Sequence, residues 1–143
     1  MKLLYKLARL SPGRLSLLLK AVFIVSAVRL ALWLVPFRIL LGLLKRRMLR
    51  RVTRAALDHD AVNQVIWSVE RVSRIVPAAT CLVQAIAAQI LLSQLGQAAE
   101  LRIGVARDAS GEFQAHAWLE YEGQVVIGGS KSRSRFTTLP LFE

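Results

Sequence analysis

One cysteine and one histidine frame the chemistry open to this chain. Cys81 is the only cysteine among 143 residues, and the run that follows it is apolar and free of Pro and Gly until Gly96. This pattern predicts a helix over 81–95, with Thr80 as its N-cap and Gly96 as its stop. A thiol in a first helical turn meets the positive end of the helix dipole, which favours the nucleophilic thiolate. Thirty-five residues on, His116 stands in Phe113-Gln114-Ala115-His116-Ala117-Trp118-Leu119-Glu120. An imidazole on a neighbouring strand that faced the thiol would take its proton and later protonate a leaving group. The plainer alternative for a lone cysteine is a small apolar residue at the edge of a buried helix.

The elements that must position this pair follow from periodicity. After Gly96 the pattern changes from helix to strand, with strands expected over 100–105, 113–121 and 124–127. Asp108-Ala109-Ser110-Gly111 and Glu122-Gly123 read as turns. His116 then lies on the middle strand, with Trp118 on the same face and able to shield it. Residues 130–135 form a polar, basic tail, and 136–142 are expected to fold back as one last extended piece. Upstream, a helix over 61–75 presents Val62, Val65, Ile66, Val69 and Val72, with Asp60 as its cap and Pro77 beyond its end. Three antiparallel strands behind a buried helix make an α+β core. His59 between Asp58 and Asp60 lacks further ligands, so it reads as a solvated loop histidine. No metal site and no cofactor are implied.

Composition bounds the rest. A chain of this length, 55% apolar, has room for one compact domain with a small appendage. A single cysteine excludes an intramolecular disulfide framework and fits a reducing, cytoplasmic setting. The net charge of +11 predicts attraction to something acidic. Most of that charge lies in residues 1–54. There we expect two packed helices, over 13–34 and 37–56, joined at Val35-Pro36. The apolar stretch is long enough to span a membrane. However, Lys20, Arg29 and Arg38 divide it into uncharged runs of at most eight residues. A charge near the centre of a spanning helix costs roughly 2.5–3.5 kcal/mol on insertion scales. Packing on the core or a partner is therefore the expectation, with interfacial attachment a weaker alternative. Arg47, Arg50, Arg51 and Arg54 share one helical stripe, either a solvated flank or a docking face for an acidic partner. Nucleic acid is disfavoured, because no aromatic residues are interleaved with the charges.

The wider pattern is more specific. C-L-x-Q-A-x-A-A-Q-x-L-L-x-x-L-G, then L-R-I-G-V, then F-x-A-H-A-W-L-E-x-x-G-x-V-V resembles the B2 leader peptidases of lasso-peptide biosynthesis. Those are bacterial transglutaminase-like cysteine proteases. The resemblance covers residues 61–129, and more loosely Ala21 to Leu44. It implies a transglutaminase-like or papain-like core over 57–143 behind a helical region over 1–56. It also implies Cys81 as nucleophile and His116 as base. The implied job is removal of the leader from a ribosomally made precursor peptide, before a separate ATP-dependent lasso cyclase closes the ring. In split systems a leader-binding B1 protein delivers that precursor, and this chain resembles the stand-alone B2 form. One departure stands out. The family often carries an aspartate twelve residues after the histidine, where this chain has Gly128. Glu120, four residues along the same strand, lies roughly 13 Å away, and Asp108 lies at a similar remove. A backbone carbonyl near Gly128-Gly129, the Ser130 hydroxyl, or an unaided Cys-His dyad are the alternatives. The Cys81 backbone N–H would serve the oxyanion hole, with its second donor unassigned. A catalytically silent binding module of the same fold and a basic membrane-associated protein are the competing readings.

Overall fold

A computed structural model describes residues 2, 9, 12–50, 58–76, 80–107, 109–128 and 137–138. Four helices are described, α1 (Pro12–Leu34), α2 (Phe37–Arg50), α3 (His59–Ser73) and α4 (Cys81–Gln94). The strands β1 (Glu100–Arg107), β2 (Phe113–Tyr121), β3 (Gln124–Ile127) and β4 (Thr137–Thr138) follow. They form one antiparallel sheet in the order β3-β2-β1-β4. The expected α+β architecture, with the cysteine helix packed on a small antiparallel sheet, is the one observed. The fourth strand falls within the expected returning piece, whose other residues lie outside the described ones.

Helix α4 begins and ends for local reasons. Thr80 is extended, and its side-chain oxygen accepts from the Val83 N–H at 3.5 Å. At the other end Gly96 takes a φ of 72°. Its N–H donates to the Ser93 carbonyl, and that of Gln97 to the Leu92 carbonyl. This paired closure is a Schellman motif, and glycine adopts its left-handed residue without a Cβ penalty. Between the caps, Val83, Ala85, Ile86, Ala87, Ala88, Leu91 and Leu92 are all buried. Alanines on several sides let α1, α3 and the sheet all approach closely.

Helix α3 corrects one detail. Its N-cap is Asp58, whose Oδ1 accepts from the Ala61 N–H at 3.0 Å. The helix therefore starts at His59, and Asp60 lies in the first turn, where a carboxylate still favours the dipole. The Asp58 N–H also donates to Gln97 Oε1, at 3.4 Å, and Tyr121 donates to the same oxygen at 2.6 Å. Gln97 thus ties the start of α3 to the end of β2. His59 is part of this corner and not of a loop. It pairs with Glu122 at 3.4 Å and meets the Tyr121 ring edge-on.

Helix α1 opens on Pro12, which is suited to a first helical position because its missing N–H has no intrahelical partner there. Leu18, Ala21, Val25 and Val28 are buried in one core with α3, α4 and the sheet. The expected packing of this helix on the core holds for that side. Pro36 separates α1 from α2 as expected, and α2 contributes Leu44 to the core. The arginine stripe at positions 47, 50, 51 and 54 lies outside the described side chains.

Candidate active site

Cys81 is the first residue of α4 and is half-buried against the core. Its backbone N–H belongs to a helical turn whose donors have no partner within the helix, as an oxyanion hole requires. His116 is half-buried near the middle of β2, which packs on α4. Tyr121, at the far end of β2, bonds to Gln97 just past the C-terminus of α4. The strand therefore runs back along the helix toward the cysteine end as its numbers fall to 116.

Alternation along β2 divides its side chains between two faces. Ala117, Leu119 and Tyr121 enter the core shared with the helices. His116, Trp118 and Glu120 occupy the opposite face. There the rings of His116 and Trp118 stack, with centroids 6.3 Å apart. Trp118 is almost wholly enclosed, and its indole N–H donates to Glu120 Oε1 at 3.0 Å. The expected shielding of the imidazole by Trp118 is therefore present. Glu120 holds the indole and lies 3.8 Å from the Arg102 guanidinium.

The imidazole is held instead by main chain. His116 Nε2 lies 2.7 Å from the Gly128 carbonyl oxygen. A carbonyl only accepts, so Nε2 carries the hydrogen, and in the neutral ring Nδ1 is the basic nitrogen. Among the alternatives for the third group, the backbone carbonyl at Gly128 is in contact with the ring. Asp108 and Ser130 lie outside the described residues.

Geometry also explains why no aspartate occupies position 128. Gly128 has a φ of +99°, and a Cβ built there would sit 2.7 Å from the Trp118 Cβ and 2.8 Å from the Ala117 carbonyl oxygen. Both the backbone conformation and the close approach to β2 exclude a side chain. A second glycine bears on the same histidine. Gly104 of β1 is the cross-strand partner of His116, so the position directly opposite the histidine carries no side chain. A glycine within the alternating L-R-I-G-V run signals such a close approach, although that signal alone does not point to the histidine.

The residues that carry these features fall within a recognised family. Residues 31–140 match the sequence profile of the transglutaminase-like superfamily. No curated protein and no solved structure matches the chain. The matched segment includes the end of α1, the capped cysteine helix and the histidine strand, and it spans most of the chain. The chain belongs to the transglutaminase-like superfamily.

Proposed function

We propose that this protein is a cysteine peptidase that removes the leader from a ribosomally made precursor peptide of the lasso class. The observation that carries the reading is the held imidazole: the Gly128 carbonyl fixes His116 in the tautomer whose Nδ1 accepts a proton. Cys81, at the capped start of a superfamily helix, supplies the nucleophile. In the first step the sulfur bonds to the scissile carbonyl carbon while the thiol proton passes to His116. The tetrahedral oxyanion is met by the Cys81 N–H. Collapse breaks the C–N bond, His116 gives its proton to the departing amine, and a thioester remains. Water then attacks the thioester with His116 as base, releasing the leader acid and the thiol.

The lone cysteine agrees with a reducing, cytoplasmic setting. A leader-binding B1-type partner would make cleavage effectively intramolecular, so that weak affinity for the scissile segment suffices. The lasso cyclase is the expected consumer of the product. Incubation with a leader-bearing precursor, with and without that partner, tests the proposal by mass spectrometry. We expect slow cleavage alone, a many-fold increase with the partner, and none for Cys81→Ala. Undiminished cleavage by Cys81→Ala would refute the mechanism.

One observation favours a second reading, a catalytically silent module that binds peptide. His116 projects from the sheet face opposite the one that packs on α4, and its holding group is a neutral carbonyl. A carbonyl stabilises an imidazolium less than a carboxylate does. Retained precursor binding with no cleavage under any partner condition would select this reading.

A further inference from the structure

A helix that is apolar all round is ordinarily enclosed. α1 comes close to this, with Arg14, Lys20 and Arg29 as its only charges and a mean hydropathy of 2.1 over its most apolar stretch, yet the protein covers only one of its sides. Leu18, Ala21, Val25 and Val28 enter the core. On the opposite side Leu19, Val22, Phe23, Leu30 and Trp33 are exposed, Phe23 at 74% and Trp33 at 81% of their full surface. At 3.6 residues per turn these form one stripe along the helix. Lys20 and Arg29 lie on its opposite margins, and both are exposed.

Charge identifies what fits this stripe. None of the nine Asp and Glu residues precedes Asp58, whereas thirteen of the twenty Lys and Arg residues do. The remaining sequence is close to neutral, with seven cations against nine carboxylates. Arg38, Lys45 and Arg46 extend the exposed cations along α2. An apolar strip edged by cations, on a segment with no anion, matches a bilayer surface with anionic headgroups. Its apolar residues would enter the acyl boundary while the flanking cations reach the phosphates. A second copy of this chain would set two cationic segments against each other. A transmembrane placement would pull Val25 and its neighbours from the core and drag Lys20 and Arg29 into hydrocarbon.

We infer that α1 lies in the plane of an anionic lipid surface, anchoring the folded domain by its uncovered stripe. The inference is independent of the peptidase reading, since it concerns the face of α1 turned away from α4. The test uses the full chain with vesicles of phosphatidylcholine alone or mixed with phosphatidylglycerol, read by co-sedimentation. Quenching of tryptophan emission by brominated lipid reports depth. The expected result is at least about tenfold tighter binding to the mixed vesicles, partly reversed by salt. Quenching should fall sharply in Trp33→Phe, because Trp118 is enclosed in the protein and Trp67 is half-buried against the core beneath Arg14 and Arg71. Phe23→Glu with Trp33→Glu should weaken binding by roughly tenfold or more. Near-ultraviolet dichroism of Trp118 checks that this double variant keeps its fold. Equal binding to neutral and anionic vesicles would overturn the inference, as would unchanged binding by the folded double variant. Resistance to alkaline carbonate extraction, or burial of the stripe in a dimer that leaves vesicles untouched, would do the same.

Discussion

Helices α1 and α4 are both strongly apolar, yet they have opposite fates. Most of α4 is buried, because Ala85, Ala87 and Ala88 let α1, α3 and the sheet come close together. α1 carries Leu, Phe and Trp on its outer side, and those side chains remain exposed. Side-chain size, more than hydropathy, separates a central helix from one that presents a face to something else. The central helix contains no charged residue, and the peripheral one carries Arg14, Lys20 and Arg29.

The largest contrast is expected from truncations on the two helices. Leu92 is fully buried and Leu30 is 54% exposed. Leu92→Ala should cost about 2–5 kcal/mol of unfolding free energy. Leu30→Ala in the protein without lipid should stay within about 0.5 kcal/mol. Urea melts of both variants check this, and equal losses would mean that α1 is covered in solution.

Gly128→Ala comes next. The left-handed conformation costs roughly 1–3 kcal/mol for a residue with a Cβ, and the clash with β2 adds a similar amount. The same change displaces the carbonyl that holds His116, so activity should fall more than stability explains. Restored activity in Gly128→Asp would show that a carboxylate fits after all.

Thr80→Ala tests whether the cap that starts the central helix matters. A loss of about 1 kcal/mol is expected in thermal or urea melts.

The smallest effect is alkaline. Burial first, then the negative charges of Glu122 and Asp58, raise the Tyr121 pKa above its ordinary value of 10.0. The unfolded chain therefore loses this proton first as pH rises, and stability should fall above about pH 10. Tyr121→Phe should be the less stable protein at neutral pH, having lost its bond to Gln97. Its alkaline decline should be shallower, which urea melts at the two pH values would show.

Much of the central region was legible in the residues. Thr80 and Gly96 bracket α4 because capping chemistry is local, and Glu122-Gly123 forms its turn with both residues at positive φ. The N-cap of α3 is Asp58, two residues before the expected Asp60. Asp58 and Asp60 are equally good caps by type, and the choice fell to a distant partner, Gln97. β1 extends two residues beyond its expected end because β2 continues to pair with it through Arg107 and Phe113. The exclusion of a side chain at Gly128 depends on how closely β2 approaches, which no local pattern encodes. Nor does a helix that is apolar all round reveal which of its sides the protein will cover.

The central claim is that Cys81 and His116 act as nucleophile and base, although His116 rises from the sheet face opposite the helical core. The rate of Cys81 alkylation by iodoacetamide at neutral pH tests it directly in three samples: the native protein, the urea-unfolded chain and folded His116→Ala. An activated pair predicts a native rate about tenfold or more above that of the unfolded chain, falling toward the unfolded rate in His116→Ala. A native thiol that reacts no faster than the unfolded one, or a rate unmoved by His116→Ala, would contradict it.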